Sequence, residues 1–177
     1  HKWLGLLWRM DLDFSAALVG KIRHGNSLVV SLSGLVASGS MPLAFAAQVF
    51  DGKVDGFLRY GRWLLALVWN AEELLDDAYH RWARALLGSP RWRSGDIAAS
   101  ELGWELSGFA RAVLDVASRR ARLWQLVDGD LYGDVFRASH HVSSVSWAHR
   151  SRELLYKWGL SDWPEFNNPV YLYLRVW

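Results

Sequence analysis

Residues 27–50 read SLVVSLSGLVASGSMPLAFAAQVF, a stretch of the chain that contains no charged side chain. Lys21 and Arg23 precede this apolar stretch, and Asp51 follows it directly. A helix that crosses the core of a bilayer needs about 20 consecutive, mostly apolar residues. The mean hydropathy of the stretch lies near the level at which spanning helices are recognised. Lipid or protein must therefore cover residues 27–50, and this requirement decides the fold.

Small residues and one proline leave the conformation of the apolar stretch open. Gly34 and Ala37 would let another helix approach closely, as they do in pairs of membrane helices. Pro42 disfavours helical angles at the residue before it, so residues 39–42 are predicted to form a turn. Three alternatives follow: one membrane-spanning helix over 27–50, a buried helical hairpin with its turn at 39–42, or a pair of strands.

Four further segments show the periodicity of amphipathic helices, with apolar residues three and four positions apart. These segments cover residues 54–87, 97–127, 131–137 and 142–158. Gly88 and Gly159 are expected to end the first and the last of them, because glycine adopts the left-handed conformation that commonly closes a helix. The sequence thus predicts an all-α fold, arranged as a helical hairpin or bundle.

Both ends of the chain are rich in aromatic residues. Trp3, Leu7 and Phe14 lie at helical spacing, which predicts an amphipathic segment at the N-terminus. The last residues, PVYLYLRVW, alternate in polarity, which favours an extended aromatic tail. The predicted organisation therefore has four regions: the amphipathic segment 1–26, the apolar stretch 27–50, a helical domain over 51–160 and the tail over 161–177.

The composition of the 177-residue chain excludes several classes of site. There is no cysteine, so disulfides and thiolate metal sites are impossible. The net charge is only +2 and the basic residues are dispersed, whereas nucleic-acid-binding proteins concentrate theirs on one face. We therefore expect no nucleic-acid partner. The 12 tryptophans are typical of packed cores, protein interfaces and membrane boundaries.

The sharpest polar cluster is NAEELLDDAYHR, residues 70–81. Glu73, Asp77 and His80 lie three and four positions apart, so a helix places them on one side. Asp77 and His80 have the spacing with which one helix offers a carboxylate and an imidazole to a metal ion, although di-metal bundles use two such helices. These three residues are the candidate metal ligands. The alternative is a solvated acidic face with local ion pairs such as Asp77–Arg81.

No other group of residues indicates catalysis. His140 and His141 precede several serines, but the sequence shows neither a strained nucleophile turn nor an oxyanion site. Arg119, Arg120 and Arg122 fit a solvated helix face, or contacts to phosphate or lipid head groups. We expect no catalytic residue and no cofactor, and the sequence identifies no small-molecule substrate. An enzyme is therefore the less favoured class.

Three segments between residues 51 and 160 form an ordered series. They are DGKVDGFLRYGRWLL (51–65), SRRARLWQL (118–126) and LLYKWGL (154–160). In order and approximate spacing they resemble a glycine-aspartate segment leading into a basic amphipathic helix, a serine-arginine stretch and a tryptophan-containing helix of the peroxin-eleven family. Proteins of that family shape peroxisomal membranes. The resemblance implies a non-enzymatic, membrane-binding helical domain.

The sequence favours a non-catalytic structural or accessory subunit of a larger membrane-associated complex, which supplies helix-packing and aromatic contacts. The expected partners are other protein subunits and membrane lipid, and an organelle membrane such as the mitochondrial inner membrane fits as the location. A soluble helical enzyme or metal-binding protein, with its site at residues 73–80, is the first alternative. A membrane-shaping module that uses an amphipathic helix is the second.

Overall fold

Helices make up most of the part of the chain that the structure describes. The computed structural model describes residues 13–142 and 144–160, together with the backbone of residues 2–3 and 6–7. The predicted all-α class is confirmed for residues 13–142 and 144–160. In chain order the elements are the strands β1 (Lys2–Trp3) and β2 (Leu6–Leu7), the helices α1 (Ser15–Ala37) and α2 (Leu43–Val49), a π-helical segment (Phe50–Asp55), and the helices α3 (Gly56–Arg59), α4 (Arg62–Leu65), α5 (Ala71–Leu86), α6 (Gly95–Glu101), α7 (Gly108–Trp124), α8 (Leu131–Val142) and α9 (Trp147–Lys157).

Two compact units divide the chain at a point within α7. The first unit covers His1–Arg111 and contains α1 to α6 with the first turn of α7. The second unit covers Ala112–Trp177 and contains the rest of α7, α8 and α9. The division falls inside the region 51–160 that the sequence predicts as one helical domain.

The apolar stretch forms a helical hairpin and not a single helix. α1 ends at Ala37, and Gly39 follows with a φ of 71°, which side chains other than glycine rarely adopt. Pro42 precedes α2 with an extended ψ of 142°, and it has no backbone N–H that could continue a helix. The alternative of a single helix over 27–50 is therefore wrong, and the predicted turn at 39–42 is confirmed.

None of the helices in residues 13–142 and 144–160 is both long enough and apolar enough to span a membrane. α1 has 23 residues, but its first half carries Lys21 and Arg23 and its apolar half ends at Ala37. α2, which holds the rest of the apolar stretch, has only 7 residues. The described helices therefore do not support the membrane-spanning interpretation of residues 27–50.

The chain returns from the hairpin turn antiparallel to α1. At the base of the hairpin, Lys21 of α1 contacts Phe57. Gly25, one turn further along α1, faces Val54, whose side chain would lie 3.4 Å from a Cβ atom at position 25. Gly25 also lets α5 approach α1 closely, because a Cβ atom at this position would lie only 2.6 Å from the ring of Trp82. The base of the hairpin is thus packed against α5.

Lys21 is a buried cation that has no carboxylate partner among the described residues. Its Nζ donates a 2.7 Å hydrogen bond to the carbonyl oxygen of Phe57, in the last turn before α3 ends. The same nitrogen lies 4.2 Å from the centre of the Phe57 ring and 5.5 Å from that of Tyr60. Burial lowers the pKa of Lys21 from 10.5 to about 8. Lys21 therefore satisfies a carbonyl group that the end of the helix leaves without an intrahelical donor.

The free energy of unfolding is expected to rise between about pH 8 and pH 10.5, and Lys21→Met should abolish this rise. In this range the unfolded chain still holds the Lys21 proton that the folded protein has released, so each pH unit favours folding by up to about 1.4 kcal/mol. Denaturant titrations of the parent protein and of Lys21→Met across this pH range measure the free energy of unfolding of each. The contributions of other titrating groups cancel when one pH profile is subtracted from the other. Parallel pH profiles would contradict the prediction.

Two long helices predicted from periodicity are interrupted. The segment 54–87 breaks at Gly61, which has a φ of 82°, and again before α5. The segment 97–127 divides into α6 and α7 at Gly103, which has a φ of 72°. Left-handed glycine ends the helical hydrogen-bond pattern, so both continuous predictions are wrong. Gly88 has a φ of 61° after the last turn of α5, which confirms the predicted end of that helix.

The second unit is packed around Phe136 of α8. The ring of Phe136 lies 6.0 Å from the ring of Trp124 and 5.8 Å from that of Trp147. The guanidinium of Arg120 lies 5.2 Å from the same ring and donates a 2.6 Å hydrogen bond to the carbonyl oxygen of Ala148. Burial lowers the pKa of Arg120 to about 10. Arg120 therefore packs within this unit instead of lying on the solvated face that the sequence favours.

The helix predicted over 142–158 is confirmed as α9 with a later start. Ser146 caps its N-terminus, where the side-chain oxygen accepts a 3.1 Å hydrogen bond from the backbone N–H of His149. Gly159 follows the helix with a φ of 68°, which confirms the predicted end. The helix predicted over 131–137 is confirmed as the first part of α8.

The two ends of the chain differ in how far the structure describes them. Residues 2–3 and 6–7 form a short antiparallel pair, with Lys2 opposite Leu7 and Trp3 opposite Leu6. The amphipathic helical spacing predicted at the start of region 1–26 is therefore wrong for these four residues, and helix begins at Ser15. The tail predicted over 161–177 lies outside the described residues.

Candidate functional site

α5 carries the three candidate metal ligands, and two of them pair with other residues. Glu73 is exposed in the first turn of the helix. Asp77 forms a 3.3 Å ion pair with Arg81, as the solvated-face alternative predicts. His80 instead approaches α6, where its Nε2 lies 3.0 Å from Oδ1 of Asp96. No set of three or more histidine, aspartate or glutamate residues is placed to hold a metal ion in the described part of the chain.

Other residues considered at the sequence level do not join this site in the described structure. Glu153 pairs with His149 within α9, at a distance of 3.1 Å. The side chains of His140 and His141 lie outside the described part of α8. The metal site at Glu73, Asp77 and His80 therefore stays a prediction.

A cleft of about 370 Å³ opens beside His80, between α5, α6 and the segment that leads into α7. Asp96, Ser100 and Glu105 contribute polar side chains to its lining. Gly95 lies directly against His80, and any Cβ atom at this position would collide with the imidazole. Glycine at this point thus allows the close approach of α6 that brings Asp96 to His80.

Trp104 and Tyr79 form the buried wall of the cleft. The ring of Trp104 stacks on that of Phe50 with 4.2 Å between centroids, and it meets the Tyr79 ring edge-on at 5.8 Å. Trp104 is only 6% exposed, and its indole nitrogen has no acceptor among the described residues. A buried donor without an acceptor is uncommon and costs free energy. The nitrogen itself is buried, so the unpaired N–H is a local cost of the packing around Trp104.

Tyr79 also belongs to a buried ionic cluster within the first unit. Asp55, at the end of the π-helical segment, accepts a hydrogen bond from the Tyr79 hydroxyl and a 2.6 Å hydrogen bond from Nη1 of Arg62. Arg62 also donates to the Tyr79 oxygen at 3.1 Å. Asp55 and Arg62 are each 2% exposed. Arg111, in the first turn of α7, lies 3.8 Å from Asp55 and completes the cluster.

The cluster keeps its charges through direct contacts. Burial alone would raise the pKa of Asp55, but the guanidinium of Arg62 and the hydrogen bond from Tyr79 outweigh it and hold the pKa below its ordinary value. Burial, reinforced by the charge of Asp55, raises the pKa of Tyr79, so the phenol stays protonated and donates. The cluster therefore joins the π-helical segment, α4, α5 and α7 through ionic hydrogen bonds, and its chemistry is structural.

The sequence reasoning missed this cluster for a physical reason. Helical spacing indicates Arg59 as the partner of Asp55, and Arg59 does lie 3.9 Å from it, but its side chain is mostly exposed. The closer partner is Arg62, which follows the left-handed Gly61 and so leaves the helical register of Asp55. Arg111 and Tyr79 come from distant helices, whose approach no local pattern indicates.

The hairpin end, defined as residues 28–49, exposes apolar side chains. Val30 is 68% exposed, Leu35 42% and Phe45 53%. No charged residue occurs anywhere in the hairpin end. The hairpin that the sequence predicts as buried therefore presents an uncharged apolar surface at this end.

Three serine side chains of the hairpin end bond to their own backbone. The hydroxyl of Ser31 donates to the carbonyl oxygen of Ser27 at 3.1 Å. In the same way Ser33 donates to Val30 at 3.0 Å, and Ser38 donates to Leu35 at 3.0 Å. Because these hydroxyl protons are already used within the helix, the surface can enter an apolar environment at a low cost in lost hydrogen bonds.

Comparison with known proteins identifies no relative. No family model, curated protein or solved structure matches the chain. The resemblance of residues 51–160 to the peroxin-eleven family therefore stays a prediction.

Proposed function

We propose that the protein is a non-catalytic contact subunit that binds a partner protein through its hairpin end. The observation that supports this proposal is the exposure of Val30, Leu35 and Phe45 on a surface without any charge. Large apolar side chains that are exposed in an uncharged part of a protein are typical of interaction sites. Large apolar side chains, phenylalanine among them, contribute strongly to the centre of such interfaces.

The chemistry of the hairpin end defines the partner surface. A charged group of the partner would lose water on contact and would find no counter-charge in residues 28–49, which is unfavourable. The hydroxyls of Ser31, Ser33 and Ser38 already donate to backbone oxygens of α1, so the partner needs few acceptors for them. The expected contact surface of the partner is therefore apolar and uncharged, such as a groove between helices.

A protein partner is favoured over a lipid surface. Helices that lie in a membrane interface combine an apolar face with lysine and arginine that attract anionic head groups. The hairpin end contains neither residue. Lys21 is buried against Phe57, and the exposed Arg23 and Lys53 lie outside the hairpin end, beyond its first and last residues. A membrane-binding role, as the resemblance to the peroxin-eleven family implies, is the competing outcome of the test.

Aspartate substitutions in the hairpin end test the proposal. Leu35→Asp and Phe45→Asp are each expected to weaken a stoichiometric complex by at least about 30-fold, as truncation of interface hot-spot residues does. Each variant should keep its free energy of unfolding within about 0.5 kcal/mol of the parent protein, because both side chains are exposed. Affinity purification from source cells, with the stoichiometry of the complex measured, gives the result.

Tyr156→Asp is the matched control. Tyr156 is an exposed aromatic residue on α9 in the second unit, with 73% exposure, and its substitution should leave the complex intact. Flotation with anionic vesicles separates the competing role. Vesicle binding that Phe45→Asp abolishes, without a stoichiometric protein partner, would contradict the proposal in favour of a membrane contact. Equal loss of the complex in Tyr156→Asp would also contradict it.

A further inference from the structure

We propose that an exposed stripe of α8 is the docking surface for the chain's own tail, residues 161–177, with Arg175 of the tail beside the aspartates that border the stripe. The α8 stripe is defined as four exposed residues, Leu131, Tyr132, Val135 and Ala138. The stripe belongs to the second unit and the hairpin end belongs to the first, so the inference does not depend on the proposed function.

α8 carries large apolar side chains on two sides, and the second unit covers one of them. Phe136 is 5% exposed and its ring contacts the rings of Trp124 and Trp147. Leu131 and Val135 lie four positions apart on another side of the helix, where they are 71% and 58% exposed. A helix that is apolar on several sides is normally covered on each of them. The described residues leave the α8 stripe without such a cover.

Acidic residues border the α8 stripe. Residues 127–138 contain three aspartates and one arginine, so their net charge is −2. Arg137 pairs with Asp134 and lies 3.3 Å from Asp128, but the side chain of Asp128 is still fully exposed. This charge repels anionic lipid, and a second copy of the stripe would bring a second acidic border against the first. The charge therefore favours an apolar occupant that carries a cation.

The sequence of the tail has the properties of such an occupant. Residues 170–177 read VYLYLRVW, in which Arg175 is the one charged side chain. Aliphatic residues occupy every second position: Val170, Leu172, Leu174 and Val176. In an extended segment all four would point to one side and could cover the α8 stripe. Arginine has a long side chain, so Arg175 can reach Asp128 and Asp134 from the edge of the segment.

The tail is tethered within reach of the stripe. Leu160, which precedes it, is buried in the second unit, where α8 and α9 pack against each other. Residues 161–169 can extend over about 30 Å, whereas α8 is about 18 Å long. A short tether gives an effective concentration on the order of millimolar. Docking can therefore occur on a stripe much smaller than the roughly 800 Å² that each partner contributes to a stable interface between separate proteins.

A single nitroxide label on the tail tests the contact. The chain contains no cysteine, so Tyr173→Cys provides one attachment point between Leu172 and Leu174. In nuclear magnetic resonance spectra of the full chain, the nitroxide should broaden the backbone N–H signals of residues 131–138 more than those of the other described residues of the second unit. Stronger broadening elsewhere in the unit, or no broadening, would overturn the inference. Equal broadening of residues 131–138 in chains without nitroxide, mixed with nitroxide-carrying chains that give no signal, would show a contact between two copies and would also overturn it.

Three variants of the labelled chain complete the test. Val135→Asp should remove most of the broadening, because a carboxylate in the contact loses water without gaining a partner. Arg175→Glu should reduce the broadening at least about twofold, because it places a like charge beside the acidic border. Tyr156→Asp, which alters an exposed aromatic residue on α9 in the same unit, should leave the broadening unchanged.

The N–H shifts of residues 148–155 in α9 report whether the second unit of each variant is folded. Full broadening in folded Val135→Asp or in folded Arg175→Glu would refute the inference. A loss of broadening in Tyr156→Asp as large as that in Val135→Asp would refute it as well.

Discussion

Asp55→Ala is expected to lower the free energy of unfolding by about 3–5 kcal/mol, because it removes the carboxylate that neutralises a buried arginine. Arg62 is 2% exposed and donates its 2.6 Å hydrogen bond to Asp55. The substitution also takes away the acceptor of the Tyr79 hydroxyl, which is equally buried. Removing one member of a buried ionic pair lowers the free energy of unfolding by much more than the intact pair contributes to it, since the remaining charge stays buried without a partner.

Asp51→Ala is the matched control for this prediction. Asp51 lies on the same π-helical segment and approaches Arg111 at 3.7 Å, but its side chain is 57% exposed. Exposed ion pairs contribute little, so the control should lose less than about 1 kcal/mol. Urea denaturation of the three proteins measures both effects. A loss of less than about 1 kcal/mol in Asp55→Ala would show that the buried cluster does not hold the first unit together.

Gly108→Ala is expected to destabilise the protein by about 1–3 kcal/mol or more, because it overfills a packed contact between α7 and α5. A Cβ atom on Gly108 would lie 2.7 Å from the backbone oxygen of Leu75 and would collide with the ring of Tyr79. A backbone atom cannot rotate away as a flexible side chain can, so α7 must shift. That shift would also disturb the 2.7 Å hydrogen bond from the Phe109 N–H to Asp76.

Gly20→Ala, within α1, is the control and is not expected to destabilise the protein. A Cβ atom at Gly20 would meet nothing within 4 Å, so alanine adds helix propensity without a clash. This control should be neutral or up to about 1 kcal/mol more stable than the parent protein. Thermal or urea unfolding distinguishes the two substitutions. Similar stability of Gly108→Ala and Gly20→Ala would contradict the close packing of α7 on α5.

The turns were predictable from the sequence because their determinants are local. Pro42 has no N–H, and Gly39 accepts a positive φ, so the hairpin turn follows from the residues that form it. Gly88 and Gly159 ended their predicted helices for the same reason. The local ion pair Asp77–Arg81 was likewise predictable, since helical spacing alone brings the two residues together.

Helix continuity could not be predicted in the same way. Gly61 and Gly103 lie inside patterns that are periodic on both sides, and a glycine within a helix costs only about 1 kcal/mol. Tertiary contacts therefore decide whether each of them bends the chain. At Gly61 the break places Arg62 against Asp55, and this buried contact is not visible in the helical pattern.

The cleft and the ionic cluster depend on contacts between distant segments. His80 was identified as a candidate ligand, but its partner Asp96 depends on how closely α6 can approach α5. Gly95 permits that approach, and only the assembled structure shows it. The unsatisfied N–H of Trp104 similarly follows from burial, which composition and periodicity do not specify for a single side chain.

Photo-cross-linking from Phe45 in intact source cells tests the role of the hairpin end most directly. A photoreactive residue at this position, which is 53% exposed, should form an adduct with one partner protein. Leu35→Asp in the same chain should abolish this adduct, and a photoreactive residue at Tyr156 should not form it. Adducts with lipid alone, or no adduct at Phe45 from a folded protein, would contradict the assignment of the hairpin end as a protein-binding surface.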